Sequence, residues 1–100
     1  MKLLLVCNAG MSTGIMQVKL TQSANARGMA TEVLAVPLVE LDDHIDTATA
    51  ILLGPQIRFA LNDVQKKAPD GVPVLVISPP DFGTMNAEKV LDDVMAAVAK

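Results

Sequence analysis

Four short apolar runs alternate along this chain with segments of helical periodicity, and this alternation limits the folds that the chain can adopt. The apolar runs are residues 2–6, 31–36, 49–53 and 72–77. The first run is almost continuously apolar, which is typical of a strand buried on both faces of a parallel sheet. Because its strands alternate with helices, we expect a three-layer α/β fold, with a parallel four-stranded sheet covered by helices on both faces.

The predicted helices cover residues 13–27 and 57–68, and a last helix follows Asn86, which is expected to cap it. The side chains expected to face the core recur at helical spacing: Met16, Leu20 and Ala24, with Ile15 beside them; Ile57, Leu61, Val64 and Ala68; Val90, Leu91, Val94, Met95 and Val98. Residues 40–46 predict a short surface helix. Residues 54–56 and 78–83 predict loops, the second stiffened by two prolines.

The only cysteine, Cys7, stands where the first strand ends. The loop that follows it consists mainly of small residues: Asn8, Ala9, Gly10, Met11, Ser12, Thr13 and Gly14. Small residues let backbone N–H groups turn around an anion, and the next helix adds free N–H groups and the positive end of its dipole. A helix N-terminus also favours a thiolate. The pattern predicts a nucleophilic Cys7 in an anion-binding cradle; the alternative is a cysteine buried as a small hydrophobic residue.

Composition narrows the possible functions. With 100 residues, 51% of them hydrophobic, the chain is expected to form one domain over residues 1–100. A net charge of −3 and 2% aromatic residues argue against nucleic-acid binding. One cysteine and one histidine, His44, argue against a metal site or a disulfide, and no cofactor is predicted. No run approaches the ~20 apolar residues of a membrane span, so we expect a cytoplasmic protein without membrane insertion.

Cysteine phosphatases also place a small-residue loop and a helix after their cysteine, but they have an arginine six positions after it. The residue at that position here is Thr13. Phosphate recognition would then depend on backbone amides and hydroxyls rather than on a guanidinium group. The missing arginine argues against a phosphatase, and the missing second cysteine argues against a dithiol redox module. A binding module with a structural cysteine is a third interpretation.

Three segments together resemble one family. Residues 4–13 (LLVCNAGMST) resemble the phosphocysteine loop of the IIB component of the bacterial phosphotransferase system, lactose/cellobiose (chitobiose) type. Residues 53–59 (LGPQIRF) and 81–91 (DFGTMNAEKVL) resemble that family's segment after strand 3 and its final loop and helix. Phe82 and Ala87 stand where family members commonly have tyrosine and glycine, and both lie outside the cysteine loop.

The resemblance implies the strand order 2-1-3-4, similar to low-molecular-weight tyrosine phosphatases. It implies that Cys7 accepts a phosphoryl group from a phosphohistidine of the IIA partner, while backbone N–H groups of residues 8–14 hold the phosphate. Phospho-Cys7 then passes the group to a sugar bound by the membrane component IIC. The sugar class implied is a β-linked disaccharide such as cellobiose, chitobiose or lactose, and a monomer is expected.

Three further residues are candidates for the edge of the site. Gln56 and Arg58 either border the site, contact the partner or form a solvated helix start. Asp81 is either a general acid or, by the stronger argument, a turn-capping aspartate. His44 lies in an acidic stretch and is expected to be an exposed side chain.

Overall fold

A computed structural model describes residues 1–7 and 11–99, and for Met11 and Ser12 it describes the backbone alone. The strands are β1 (Lys2–Val6), β2 (Glu32–Val36), β3 (Ala50–Leu53) and β4 (Val74–Val76). The α-helices are α1 (Met11–Ala26), α2 (Leu61–Lys67), α3 (Pro79–Gly83) and α4 (Ala87–Val98). Segments of 3₁₀ helix span Leu38–Asp43, Ile45–Thr47 and Pro55–Ala60.

The four strands form one parallel sheet in the order β2-β1-β3-β4. In the centre of the sheet, Leu5 of β1 lies opposite Ala35 of β2 on one side and Leu52 of β3 on the other. The expected α/β fold and strand order are therefore confirmed. Since β1 has a neighbour on each side and the chain leaves it first toward β2, β1 marks the point where the strand order reverses.

The side chains of β1 alternate between two cores, one on each face of the sheet. Leu3 and Leu5 pack with α1 and α4, whereas Leu4 and Val6 pack with the 3₁₀ segments and α2. All four side chains are fully buried. Burial of each such side chain is worth roughly 1.5–3 kcal/mol, so both faces stabilise the position of β1. This two-sided burial explains the unbroken apolar run in the sequence.

Helix α1 begins two residues before the predicted start, at Met11, so residues 11–14 are the first turn of a helix rather than part of a loop. Its predicted core stripe is confirmed, because Met16, Leu20 and Ala24 are fully buried. The interpretation of two flanking positions was wrong: Ile15 is 47% exposed and Met95 of α4 is 38% exposed. Both lie at the margins of apolar stripes, where the angle of the helix on the sheet decides burial.

The predicted helix at residues 40–46 is instead two 3₁₀ segments, interrupted at His44. Leu41 and Ile45 are buried beneath them, so this stretch covers one face of the sheet. The predicted loop at 54–56 also needs correction, because a 3₁₀ segment begins at Pro55. Proline is tolerated in a first helical turn, where its missing N–H would have had no partner in the helix.

Most of the predicted stiff loop at residues 78–83 is instead a short helix, α3, which begins at Pro79. Pro79 and Pro80 occupy the first helical positions, where the fixed φ of proline suits a helix. Ser78 caps this helix by accepting a hydrogen bond from the Asp81 amide at 3.3 Å. The predicted cap of α4 is confirmed, since Asn86 Oδ1 accepts from the Lys89 amide at 3.3 Å.

No helix in residues 1–7 and 11–99 is long and apolar enough to cross a membrane.

Candidate functional site

Cys7 lies directly after β1, at the carboxyl end of the sheet where the strand order reverses. Its amide donates a hydrogen bond to the Val36 carbonyl at 3.2 Å, which continues the pairing of β1 with β2. On the other side, the Gly54 amide donates to the Val6 carbonyl at 2.9 Å. Both neighbouring strands therefore hold the backbone on either side of the cysteine. The residue itself is 4% exposed.

Gly54 lies against the cysteine side chain. A Cβ atom at this position would lie 2.9 Å from Cys7 Sγ and 3.3 Å from Cys7 Cβ. The backbone at Gly54 has φ −62° and ψ 151°, which any residue adopts, so the need for glycine is one of space rather than conformation. The sequence placed Gly54 in a predicted loop and in a segment that resembles the family, but it predicted no contact between this glycine and the sulfur. A signal was available in the sequence, because Gly54 directly follows the third strand, and the expected strand order places that strand beside the strand that ends at Cys7.

Gln56 completes the described surroundings of the sulfur. The Cys7 thiol donates a hydrogen bond to Gln56 Oε1, with 3.4 Å between sulfur and oxygen. The same Cβ position at Gly54 would lie 2.9 Å from Gln56 Oε1. Cys7, Gly54 and Gln56 therefore meet at one point, although 49 residues separate the two hydrogen-bonded side chains. Gln56 itself is exposed, so its amide links a buried sulfur to the surface.

The start of α1 supplies the other described part of the site. Its first residue, Met11, is the fourth residue after Cys7, and the first four amides of an α-helix have no partner within the helix. Thr13 is buried, at 5% exposed, and among the side chains that the structure describes only Ser23 is another buried polar one. At Gly14 an added Cβ would meet no atom within 4 Å, so space does not require glycine there. Asn8, Ala9 and Gly10, and the side chains of Met11 and Ser12, lie outside the described residues.

The other two candidate edge residues lie on separate elements. Arg58 is an exposed residue of the 3₁₀ segment that also carries Gln56. Asp81 is half-buried in the first turn of α3. The pKa of Lys89 is raised, mainly by its hydrogen bond to Asp93, and the charge of Asp81 adds a smaller contribution. The charge of Asp81 thus acts on the start of α4.

His44, expected to be exposed, is half-buried between the two 3₁₀ segments. Within residues 1–7 and 11–99, no group of three His, Cys, Asp or Glu side chains is arranged to hold a metal ion.

Comparison with known proteins adds independent information. Residues 2–93 match the family described as "PTS system, Lactose/Cellobiose specific IIB subunit". Two relatives from Lactococcus lactis are each 37% identical to this chain in an alignment of length 93 that covers 87% of this chain and 86% of theirs. They are the galactose-specific EIIB component of subsp. cremoris (strain MG1363) and the cellobiose-specific EIIB component of subsp. lactis (strain IL1403).

A solved structure agrees with the sequence relatives. The solution structure of the cellobiose-specific phosphotransferase IIB component from Borrelia burgdorferi superposes with a TM-score of 0.79 at 34% identity. The match covers 99% of this chain and 92% of that one. The similarity therefore extends over the whole sheet and the helices on both of its faces.

Proposed function

Because this chain belongs to the lactose/cellobiose-specific IIB family of the phosphotransferase system, we propose that Cys7 is its phosphoryl carrier. The observation that carries this proposal is the position of the cysteine. Its sulfur lies at the carboxyl end of the central strand, four residues before a helix start and beside a glycine with no room for a side chain. Ligands of open parallel sheets bind at such an edge.

Cys7 acts as a nucleophile in the first transfer. Its thiolate attacks the phosphorus of a phosphohistidine on the IIA partner, an S–P bond forms, and the N–P bond breaks as the imidazole leaves with the electron pair. The thiol proton passes to water before the attack. In the second transfer a sugar hydroxyl attacks the phosphorus and gives its proton to water, the S–P bond breaks, and the Cys7 thiolate leaves with the electron pair. This chain needs no histidine of its own, since the partner supplies one.

Charge on the transferred phosphoryl group has to be neutralised during both steps. We assign this role to the backbone N–H groups of residues 8–14, together with the Ser12 and Thr13 hydroxyls. The start of α1 four residues after Cys7 and the positive end of its dipole support this assignment. Gln56 borders the sulfur, whereas Arg58 and Asp81 are proposed only as outer edges of the site, facing a partner.

The sugar is expected to be chosen by another component. The two Lactococcus relatives are equally similar to this chain, yet one is named for galactose and the other for cellobiose. Similarity in this component therefore does not follow the sugar. We propose that a membrane IIC component binds the sugar, a β-linked disaccharide such as cellobiose, chitobiose or lactose. The chain works at the cytoplasmic face as a monomer that contacts IIA and IIC in turn.

Intact-mass measurement tests both transfers. The chain is incubated with phosphoenolpyruvate, the general phosphotransferase proteins and a matching IIA. We expect a gain of one phosphoryl group, unchanged in His44→Gln and absent in Cys7→Ser. Membranes that carry the matching IIC should then remove the phosphoryl group when the sugar is added. The membranes without the sugar, or the sugar without the membranes, should leave it in place. No gain while IIA is shown to be phosphorylated, or an equal gain in Cys7→Ser, would overturn the proposal.

A further inference from the structure

The contact between Cys7 and Gln56 is chemically suited to one protonation state of the sulfur. In the structure the thiol donates a hydrogen bond to Gln56 Oε1, with 3.4 Å between sulfur and oxygen. A thiolate has no proton to donate and can only accept hydrogen bonds. The same oxygen, left in place, would then face an anion. The amide must therefore change its orientation or move away whenever the sulfur becomes charged.

The glutamine side chain can meet this need by a half-turn of its terminal amide. The rotation exchanges a carbonyl oxygen for an NH₂ group of nearly the same shape, so an acceptor is replaced by a donor. Because Gln56 is exposed, the oxygen that turns away from the sulfur reaches water and is not left without a partner. Glutamate, with two acceptor oxygens, and methionine, with no amide, lack this property.

The backbone around the amide is held in place while the amide turns. Pro55 fixes φ at the start of the 3₁₀ segment, and the Ile57 amide donates to the Gly54 carbonyl at 3.0 Å. Gly54 leaves the space in which the sulfur and the amide meet, since a Cβ there would lie 2.9 Å from each. The site thus combines a backbone held by a proline and a hydrogen bond with an exposed polar side chain.

We propose that Gln56 is a further catalytic residue, whose amide accepts from the resting Cys7 thiol and, after rotation, donates to the thiolate and then to the phosphoryl group. The inference rests on the proposed carrier function for its last step only. Its first step concerns the free sulfur and is measurable without any partner. A fixed amide dipole would favour one state of the sulfur, whereas a turning amide stabilises both.

The rate of Cys7 alkylation by iodoacetamide, measured against pH, tests the first step. In Gln56→Glu a carboxylate faces the sulfur, and a like charge at this distance should slow alkylation at pH 7 roughly tenfold and move the profile to higher pH. Gln56→Met removes the donor without adding charge, so a smaller shift in the same direction is expected. Gln65→Glu makes the same charge change on an exposed residue of α2, and its alkylation profile should superimpose on that of the unchanged protein.

Two further measurements complete the test. In the unchanged protein, the Gln56 side-chain NH₂ resonances should shift with pH as Cys7 ionises, and they should not do so in Cys7→Ala. Phosphoryl transfer from phosphorylated IIA should fall at least about tenfold in Gln56→Glu. A Gln56→Glu alkylation profile equal to that of Gln65→Glu, or NH₂ resonances insensitive to Cys7 ionisation, would overturn the inference. If the unchanged protein accepts no phosphoryl group while the alkylation shift is present, the carrier proposal fails and the amide's role toward the thiolate stands.

Discussion

Replacing Gly54 with alanine adds one methyl group at the point where the sulfur and the amide meet. The new Cβ would lie 2.9 Å from both Cys7 Sγ and Gln56 Oε1, about half an ångström short of the 3.4 Å at which ordinary contact begins. Gln56 can swing outward because it is flexible and exposed. Cys7 cannot move as easily, since β2 and β3 hold the backbone on both sides of it. The sulfur is therefore expected to shift by about half an ångström.

Two magnitudes follow from this geometry. An extra methyl in a packed site costs typically 1–3 kcal/mol, and the mobile amide favours the lower end, about 1 kcal/mol. For a domain of this size the melting temperature should then fall by about 4–8 °C. A misplacement of 1 Å at a reacting atom costs on the order of a hundredfold in rate, so a shift of about half that size should slow phosphoryl acceptance about tenfold.

Thermal melting and the rate of mass gain from phosphorylated IIA measure the two effects. Gly83→Ala is the matched control, because an added Cβ at the end of α3 meets nothing within 4 Å. It should leave the rate unchanged and the melting temperature equal or slightly higher. In the double variant Gly54→Ala/Gln56→Ala one of the two close contacts is gone, so part of the stability should return. If Gly54→Ala melts and reacts like Gly83→Ala, the proposed steric role of Gly54 is refuted.

Three more predictions concern stability. Leu91→Ala, at a fully buried position of α4, should lower the free energy of unfolding by about 2–5 kcal/mol in urea titration, and a loss below 1 kcal/mol would contradict the assigned core. Ser78→Ala removes the cap of α3 and should cost about 1 kcal/mol, with faster hydrogen exchange of the Asp81 amide; unchanged exchange would contradict the cap. Arg27→Gln removes ion pairs to Asp92 and Glu88 and should lower the melting temperature slightly at low salt and less at high salt. The pKa of Arg27 is raised, mainly by its hydrogen bond to Asp92. This stabilisation is therefore fully present at pH values below the ordinary pKa of arginine and is lost only as the pH rises through the raised pKa. A loss of stabilisation near neutral pH would contradict this assignment.

Local patterns in the sequence were sufficient to predict the strands of the sheet. Residues 3–6 are apolar without interruption because both faces of β1 are covered, and the same holds for β3. The apolar runs were therefore enough to predict these strands. The buried stripe of α1 followed from helical spacing in the same way. These features depend on a residue's neighbours within a few positions, and a single sequence contains that information.

Other features depend on how separate elements meet. Whether Ile15 or Met95 is buried depends on the tilt of a helix, which periodicity does not specify. The prolines at 79 and 80 are compatible with a stiff loop and with a helix start, and the cap from Ser78 decides between them.

The candidate site shows the same division. Cys7 could be selected from its place after a strand, whereas its contact with Gln56 depends on β1 and β3 being neighbours in a particular register. The requirement for glycine at position 54 is likewise a matter of distance across the sheet. Patterns in the sequence therefore predicted the candidate nucleophile, while the structure was needed to show which groups contact it.

Phosphorus-31 NMR of the chain after incubation with phosphoenolpyruvate, the general phosphotransferase proteins and IIA tests the central claim most directly, because the chemical shift identifies the atom bonded to phosphorus. A phosphoryl group on Cys7 predicts one resonance typical of phosphorus bonded to sulfur, absent from Cys7→Ser. A resonance typical of phosphorus bonded to nitrogen would place the group on a nitrogen such as that of His44, the only histidine of the chain, and would contradict the assignment of Cys7 as carrier.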